Sequence, residues 1–484
     1  MIYIRVNEKN LEYDIYALFK AFFPEKEINI KVSPEEKESA GIPSFYDICV
    51  SSSRASCSYV SGEVCLKKEE EFYSPDKAAI KDAIKRCIYR CAGEVSKRTL
   101  PWGTLTGIRP VKIPMQMISA GSDDEEIRKY MKYRYLVSDE KIGLSIQIAH
   151  REREILKDID AKDGYSLYIG IPFCPTTCLY CSFTSYPIAG WKDRVNEYIG
   201  CLKEELKLTR ELYKGRTPDT IYIGGGTPTT LLPEQFKDLI GFLHELFDIG
   251  KVLEFTVEAG RPDSIDVEKL RTLKELGVSR ISINPQTMND ETLKTIGRRH
   301  STDDVRKAFG IARECGMDNI NTDIILGLPG ENIDHIRHTM EEIKKLSPES
   351  LTVHSMAIKR AAKMAEFLKE HDDIKSLNTP EMLGTADRGA REMGMEPYYL
   401  YRQKNMAGNF ENVGYAKECR YGIYNILIME ELQSIMAVGA GTVSKHVYPD
   451  SLITRCDNVK DVELYMNRLD EMLERKRKLF DASQ

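Results

Sequence analysis

Three cysteines, Cys174, Cys178 and Cys181, follow one another at C-x3-C-x2-C spacing, directly after an apolar, strand-like run that starts near Tyr168. Three thiolates held that closely on one loop can wrap one face of a cubic iron–sulfur cluster. The fourth iron then keeps an open position for chemistry, whereas a fourth thiolate would close it. The alternative is a structural zinc site, which takes four ligands, usually as two separated pairs. Cys201 or another distant cysteine would have to supply the fourth. The other cysteines, at 49, 57, 65, 87, 91, 201, 315, 419 and 456, are scattered. One tight triplet among scattered thiols is the pattern of a metal site in a reducing compartment, not of a disulfide framework. Cys87 and Cys91, four apart on an expected helix, are read as packing residues.

A chain of 484 residues can hold two or three domains with large cores. With 30% charged residues, 42% hydrophobic residues and a net charge of -6, it gives no reason to expect nucleic-acid or bulk membrane binding. No run approaches ~18 apolar residues, and the first residues lack the pattern of a signal peptide. The expected location is the cytoplasm.

Three regions are expected. Residues 1–160 read as a separate α+β domain, with strands at 2–6, 28–32, 46–51 and 58–67. Its expected helices are 12–23, a longer one over 74–97 opened by Ser74 and Pro75, and a charged stretch over 123–158. Between them, residues 100–110 form a Gly/Pro-punctuated loop carrying Trp102. Arg109 and Lys112 there could meet an anion, but the loop reads as structural.

From 161 to 356 the pattern alternates. Strands are expected at 166–171, 220–223, 253–258, 280–284, 319–326 and 350–354. Helices are expected at 191–213, 233–247, 266–276, 290–296, 302–315 and 333–346. Six β/α units predict an α/β fold, a partial (β/α)6 barrel whose reacting groups gather at the carboxyl ends of the strands. Residues 357–484 are expected to form a C-terminal, substrate-covering and helical region. It contains a polar, aromatic segment over 397–415, a Gly-rich loop over 438–444 and a final amphipathic helix. The basic run 475–478 on that helix is read as solvated surface.

The second expected strand ends in Gly224, Gly225, Gly226, Thr227 and Pro228. Successive glycines let a backbone approach a ligand closely and present its own polar groups. Such a turn about fifty residues after the cysteine triplet resembles the radical S-adenosylmethionine (SAM) superfamily. The resemblance implies a [4Fe–4S] cluster on Cys174, Cys178 and Cys181, with SAM chelating the open iron and its amino group received by the glycine turn. It places Tyr180 and Phe183 where aromatics shield the cluster or lie near the adenine, a position equally suited to plain packing. Four further residues, Glu258, Gln286, Arg298 and Asp323, match in order and spacing the SAM-binding set of the oxygen-independent coproporphyrinogen III oxidase family. There they hold the SAM carboxylate and ribose hydroxyls, roles that suit carboxylate, amide and guanidinium groups.

Within that family the chain most resembles the HemZ-type coproporphyrinogen dehydrogenases, through residues 168–175, 102–110, 401–405 and 411–415. Two positions depart from the better-known oxidases: Gly170 stands where they carry histidine, and Phe183 where they carry cysteine. The resemblance implies oxidative decarboxylation of two propionates of coproporphyrinogen III to vinyls, started by a 5'-deoxyadenosyl radical and fed by a flavodoxin- or ferredoxin-type electron donor. A tetracarboxylate substrate needs cationic and hydroxyl partners. Tyr401, Arg402, Lys404 and Asn405, with Tyr398, Tyr399, Lys359 and Arg360, are candidates. Two other functions stay open: a haem-binding chaperone, and a radical SAM enzyme acting on another tetrapyrrole, such as a methyltransferase that opens haem. Chaperone relatives carry a histidine and a tryptophan in the region corresponding to 416–425. This chain has neither there, although Cys419 is a possible iron ligand.

Overall fold

The computed structural model describes residues 1–32, 42–74, 76–161, 163–357, 363–371, 378–403, 410–448 and 452–481. They fall into two compact units. The first comprises Met1–Arg151, Ser355–Ala357 and Leu400–Asn412; the second comprises Glu152–His354, Ile358–Tyr399 and Val413–Gln484.

The first unit opens with β1 (Ile2–Val6), α1 (Glu12–Phe22), β2 (Ile28–Val32), β3 (Ser44–Val50), β4 (Arg54–Ser61), β5 (Val64–Glu71) and α2 (Lys77–Ser96). Its sheet runs β2-β1-β3-β4-β5, with the first three strands parallel and the last two antiparallel. Leu18, Phe19 and Phe22 of α1 and Ile84, Cys87, Ile88 and Cys91 of α2 bury against Ile4, Val6, Tyr46, Ile48 and Cys57. Cys87 and Cys91 are therefore core residues. The single strand expected over 58–67 is a hairpin, because Gly62 turns the chain at φ +58°. The Ser-Pro start expected for α2 is displaced: Asp76 is the N-cap, accepting from the Ala79 amide at 2.8 Å. Three helices follow: α3 (Lys112–Ser119), α4 (Asp124–Tyr135) and α5 (Asp139–Leu156). The long helix expected over 123–158 is thus two, broken where Leu136 takes the left-handed conformation without a glycine to signal it.

The second unit carries β6 (Tyr165–Ile171), β7 (Phe173–Cys174), β8 (Tyr186–Pro187), α6 (Val195–Leu212), β9 (Thr220–Gly225), α7 (Pro233–Leu246), β10 (Glu254–Glu258) and α8 (Val267–Glu275). The alternation continues through β11 (Arg280–Ser282), α9 (Asp290–Thr295), α10 (Thr302–Glu314), β12 (Ile320–Leu326), α11 (Ile333–Leu346) and β13 (Ser350–Ser355). Beyond these lie α12 (Met364–Glu370), α13 (Pro380–Glu392), β14 (Glu396–Tyr401), β15 (Asn412–Ala416), α14 (Ile423–Glu430), β16 (Ser434–Val438), β17 (Val443–Val447), β18 (Ile453–Asp457), α15 (Val462–Asn467) and α16 (Leu469–Asp481).

One sheet organises the unit, in the order β14-β15-β13-β12-β11-β10-β9-β6-β16-β17-β18. Its centre is the six expected strands in sequence order, and it does not close: a partial barrel. The C-terminal residues do not stand apart as expected for 357–484. β16 pairs parallel with β6, and β15 pairs antiparallel with β13, so both extend the barrel sheet. The run 475–478 is not all solvated surface either. Lys476 is fully buried in an ion pair with Glu205 of α6, which also accepts from Tyr465, Asn458 and the Gly439 amide.

Candidate active site

β6 and β9 pair in a register that sets Gly170 opposite Gly224 and Ile171 opposite Gly225. The cysteine loop and the glycine turn therefore leave the sheet side by side. They are zipped together beyond it: the Gly226 amide donates to the Ile171 carbonyl and the Thr227 amide to the Phe173 carbonyl, both at 2.7 Å. A Cβ on Gly226 would lie 2.5 Å from the Phe173 oxygen, and Gly225 has φ +109°. Both positions demand glycine before any ligand is considered.

The three cysteines are free thiols; Cys178 is buried and the other two half-buried. Thr227 Oγ1 lies 3.5 Å from Cys174 Sγ, and burial raises the Cys174 thiol above its usual range. The Leu179 amide donates to Ile296 at 3.0 Å, and Arg298 donates through Nε and Nη2 to the Tyr180 hydroxyl at 3.2 and 3.0 Å. Phe183, two residues after Cys181, is 71% exposed.

The other expected residues converge on the same strand ends. Tyr222 in β9 donates to Glu258 at the end of β10, at 2.6 Å. Burial pushes the Glu258 carboxyl up to about 7; the Tyr222 bond opposes this and Asp323 adds to it. Asp323 in β12 behaves oppositely. Burial raises it, but bonds from His354, Asn321 and Thr352 and the His354 charge outweigh burial, so it lies below the usual carboxylate range. Two neighbouring carboxyls with environments pushed apart are a signature of functional sites. Gln286 has a left-handed backbone, φ +70°, fixed by its amide on the Asp323 carbonyl at 3.0 Å. Its side-chain Oε1 is buried with no hydrogen-bond partner. A strained backbone holding out an unsatisfied acceptor marks a place for a ligand donor.

Tyr168, Tyr222 and Tyr424 stack beside these groups, with ring centroids 6.0 Å (Tyr168–Tyr222) and 4.6 Å (Tyr222–Tyr424) apart. Tyr222, Tyr424 and His354 were not singled out from sequence. Tyr222 is two residues before Gly224, so the strand period alone would have put it on the same face. Arg261 was also missed. It is 3% exposed and donates to Thr176 Oγ1 at 3.2 Å and to Cys178 Sγ at 3.6 Å.

The proposed substrate contacts fare differently. Arg402 belongs to the first unit, is 4% exposed, and donates to the carbonyls of Leu105 at 2.7 Å and Gly107 at 3.3 Å while lying over the Trp102 ring. That makes it a structural brace for the 100–110 loop rather than a substrate cation. Trp102 Nε1 in turn donates to Glu411 at 2.8 Å, which also pairs with Lys141 at 2.7 Å. Tyr398 is buried and accepts from the Gly422 amide, and Tyr399 donates to Thr352. Tyr401 is half-buried at the end of β14. Lys404, Asn405, Lys359 and Arg360 lie outside the described residues.

Residues 168–343 match the model of the radical SAM superfamily. The chain is 40% identical over 437 residues, 87% of each chain, to the oxygen-independent coproporphyrinogen-III oxidase-like protein HemZ of Bacillus subtilis. It belongs to this radical SAM family. The heme chaperone HemW of the same organism is 42% identical over 196 residues, 40% of this chain and 50% of that protein. Among solved structures, the coproporphyrinogen III oxidase HemN from Escherichia coli shares the fold, with a TM-score of 0.51 and 22% identity over 66% of this chain and 73% of that one.

As a radical SAM protein its cofactors are a [4Fe–4S] cluster and SAM. The residues present fit that pair: three free thiols on one loop, a glycine cradle, and an orphaned buried acceptor at Gln286. Among the described residues no three His, Cys, Asp or Glu side chains are arranged about a single-ion position, and no helix is long and apolar enough to cross a membrane.

Proposed function

We propose that the protein catalyses SAM-dependent oxidative decarboxylation of coproporphyrinogen III propionates to vinyls, yielding protoporphyrinogen IX. The observation that carries this reading is the reach of the likeness to HemZ, which includes the first unit as well as the barrel. Cys174, Cys178 and Cys181 hold the cluster through thiolates. Bound together, cluster and SAM supply a radical able to abstract hydrogen from an unactivated carbon. The chain must orient substrate beside that chemistry and keep water out.

The backbone of the Gly224–Thr227 turn and the Gln286 Oε1 acceptor are suited to the SAM amino group and ribose. Glu258 and Asp323 suit ribose hydroxyls. Arg298 spends four of its five N–H groups on Tyr180, Asn284 and Gly260, which leaves one Nη2 N–H for a carboxylate. Tyr168 stacks along the wall these groups share. Tyr401 is a proposed substrate hydroxyl, with Lys404 and Asn405 as further contacts. The electron that cleaves each SAM comes from a flavodoxin- or ferredoxin-type donor, and the electron released with each CO2 passes to an electron acceptor.

The chaperone reading has one observation in its favour, the HemW similarity, and that similarity spans only part of the chain. Cys419, the possible iron ligand, lines a cleft with Glu254, Asp318 and Arg420, charged groups at the amino ends of the barrel strands. Such a lining does not suit an apolar macrocycle.

Anaerobic reconstitution with SAM, a reductant and coproporphyrinogen III, followed by mass spectrometry, tests the reading. Loss of two CO2 per porphyrinogen, abolished by Cys178→Ala, is the expected result. SAM cleavage with no decarboxylation would refute the substrate, and haem would then be tested for binding or ring opening.

A further inference from the structure

Each of the first two cysteines in the loop has a side-chain donor from a different strand end. Cys174 has Thr227, beyond β9, and Cys178 has Arg261, beyond β10. The second donor is built with care. Asp263 grips Arg261 bidentately, Oδ1 on Nε and Oδ2 on Nη2, both at 2.9 Å. That grip turns the remaining nitrogen, Nη1, to Thr176 and Cys178. His300 closes the far side, its Nδ1 3.9 Å from Asp263 Oδ1. Its ring is buried without a hydrogen-bond partner at either nitrogen, and burial holds it neutral by pushing its pKa down to about 3. At 3.9 Å it makes no hydrogen bond to Asp263, which is left to Arg261. The guanidinium stays fixed, with its free edge toward the sulfur.

We propose that Arg261 is a positioning residue that tunes the cluster: its Asp263-braced Nη1 donates to the Cys178 sulfur and raises the cluster's reduction potential. Reduction adds negative charge that spreads onto the ligand sulfurs. An N–H donor carrying positive charge stabilises that reduced form more than the oxidised one. Burial keeps water from screening the interaction. The pair Arg261–Asp263 is neutral overall, so the effect is local and depends on which end faces the sulfur. The proposal rests on the cysteines holding the cluster as proposed above.

The test is an EPR-monitored potentiometric titration of anaerobically reconstituted full-length protein without SAM, with iron counted per chain. Wild type, Arg261→Gln and Arg261→Lys are compared. Arg261→Gln is expected to keep its iron but require a more negative potential for half-reduction. The shift expected is at least tenfold in the reduction equilibrium, about 59 mV for one electron. Arg261→Lys, which keeps the charge but loses the fork to Asp263, is expected to fall between the two. Wild-type midpoints in both variants would overturn the role of Arg261. If the Gln variant cannot hold iron, the Lys variant decides alone: a lowered midpoint supports the role and a wild-type midpoint refutes it. A wild-type protein that takes up no EPR-active cluster would instead refute the cysteine assignment.

Discussion

Replacing Glu258 by Gln should make the barrel unit more stable above neutral pH and leave it unchanged in mild acid. The carboxyl is displaced from 4.5 to about 7, chiefly by burial. At 1.36 kcal/mol per pH unit, that displacement corresponds to about 3 kcal/mol as an upper bound, because Glu258 is only half-buried. The folded chain binds this proton more tightly than the unfolded chain. Stability from Glu258 is therefore fully present below pH 4.5 and is lost as pH rises through about 7. Glutamine is neutral throughout and still accepts from Tyr222. At pH 4 the two proteins should nearly match; at pH 8 the variant should be more stable by up to about 3 kcal/mol. A chain of two units does not melt as two states, so the assay is native-state amide exchange of β9 and β10 peptides across pH 4 to 8, read as the ratio of variant to wild type. Ratios that stay flat across this range would refute the reasoning.

Tyr222→Phe removes a bond that lowers the Glu258 carboxyl, so the pH at which the exchange profile levels off should move above 7; a downward move would contradict the assigned cause. Lys476→Met leaves Glu205 buried without its ion-pair partner and should cost about 3–5 kcal/mol, read by native-state amide exchange of α6 and α16 peptides. Adding Glu205→Gln should recover much of that loss, and a double variant as unstable as the single one would count against the ion pair as the cause. Gly226→Ala places a methyl 2.5 Å from the Phe173 carbonyl, so the cysteine loop must shift. Reconstituted iron per chain should fall sharply while far-UV circular dichroism is unchanged; full iron content would show the loop to be more tolerant than its geometry implies.

The six central strands were legible because each β-like run is followed by a helix at amphipathic period, and α11 begins and ends where expected, at Ile333 and Leu346. Local punctuation was less reliable. Leu136, left-handed without being glycine, split a helix that charge density had made continuous. What sequence could not convey were long-range partners. Lys476 reads as one charge in a basic run, yet its partner Glu205 lies 271 residues earlier. Arg402 sits in a motif that suggests substrate binding, but its Nη1 donates to a loop carbonyl 297 residues earlier in the chain. Arg261 was overlooked because the pairing that gives it meaning, Asp263 on one side and Cys178 on the other, exists only once β10 and the cysteine loop are brought together.

The departure at Gly170 has a physical cause in the same network. Gly170 precedes Cys174 by four residues and lies against the turn between β16 and β17. A Cβ there would meet Thr442 Cγ2 at 2.5 Å. The turn cannot easily retreat. Thr442 Oγ1 and Asn458 Nδ2 both donate to the Gly439 carbonyl, and the Gly439 amide donates to Glu205. Tyr198 closes the loop by donating to the Gly170 carbonyl at 2.7 Å while accepting from the Ala440 amide at 2.9 Å. A residue with a side chain at 170 would have to displace a turn anchored to a fully buried ion pair. The space beside residue 170 is taken by Thr442, and the start of the cysteine loop is held from behind by the C-terminal strands and helix. The stretch beyond residue 413 thus acts on the cysteine loop by fixing β6, the strand from which the three cysteines emerge.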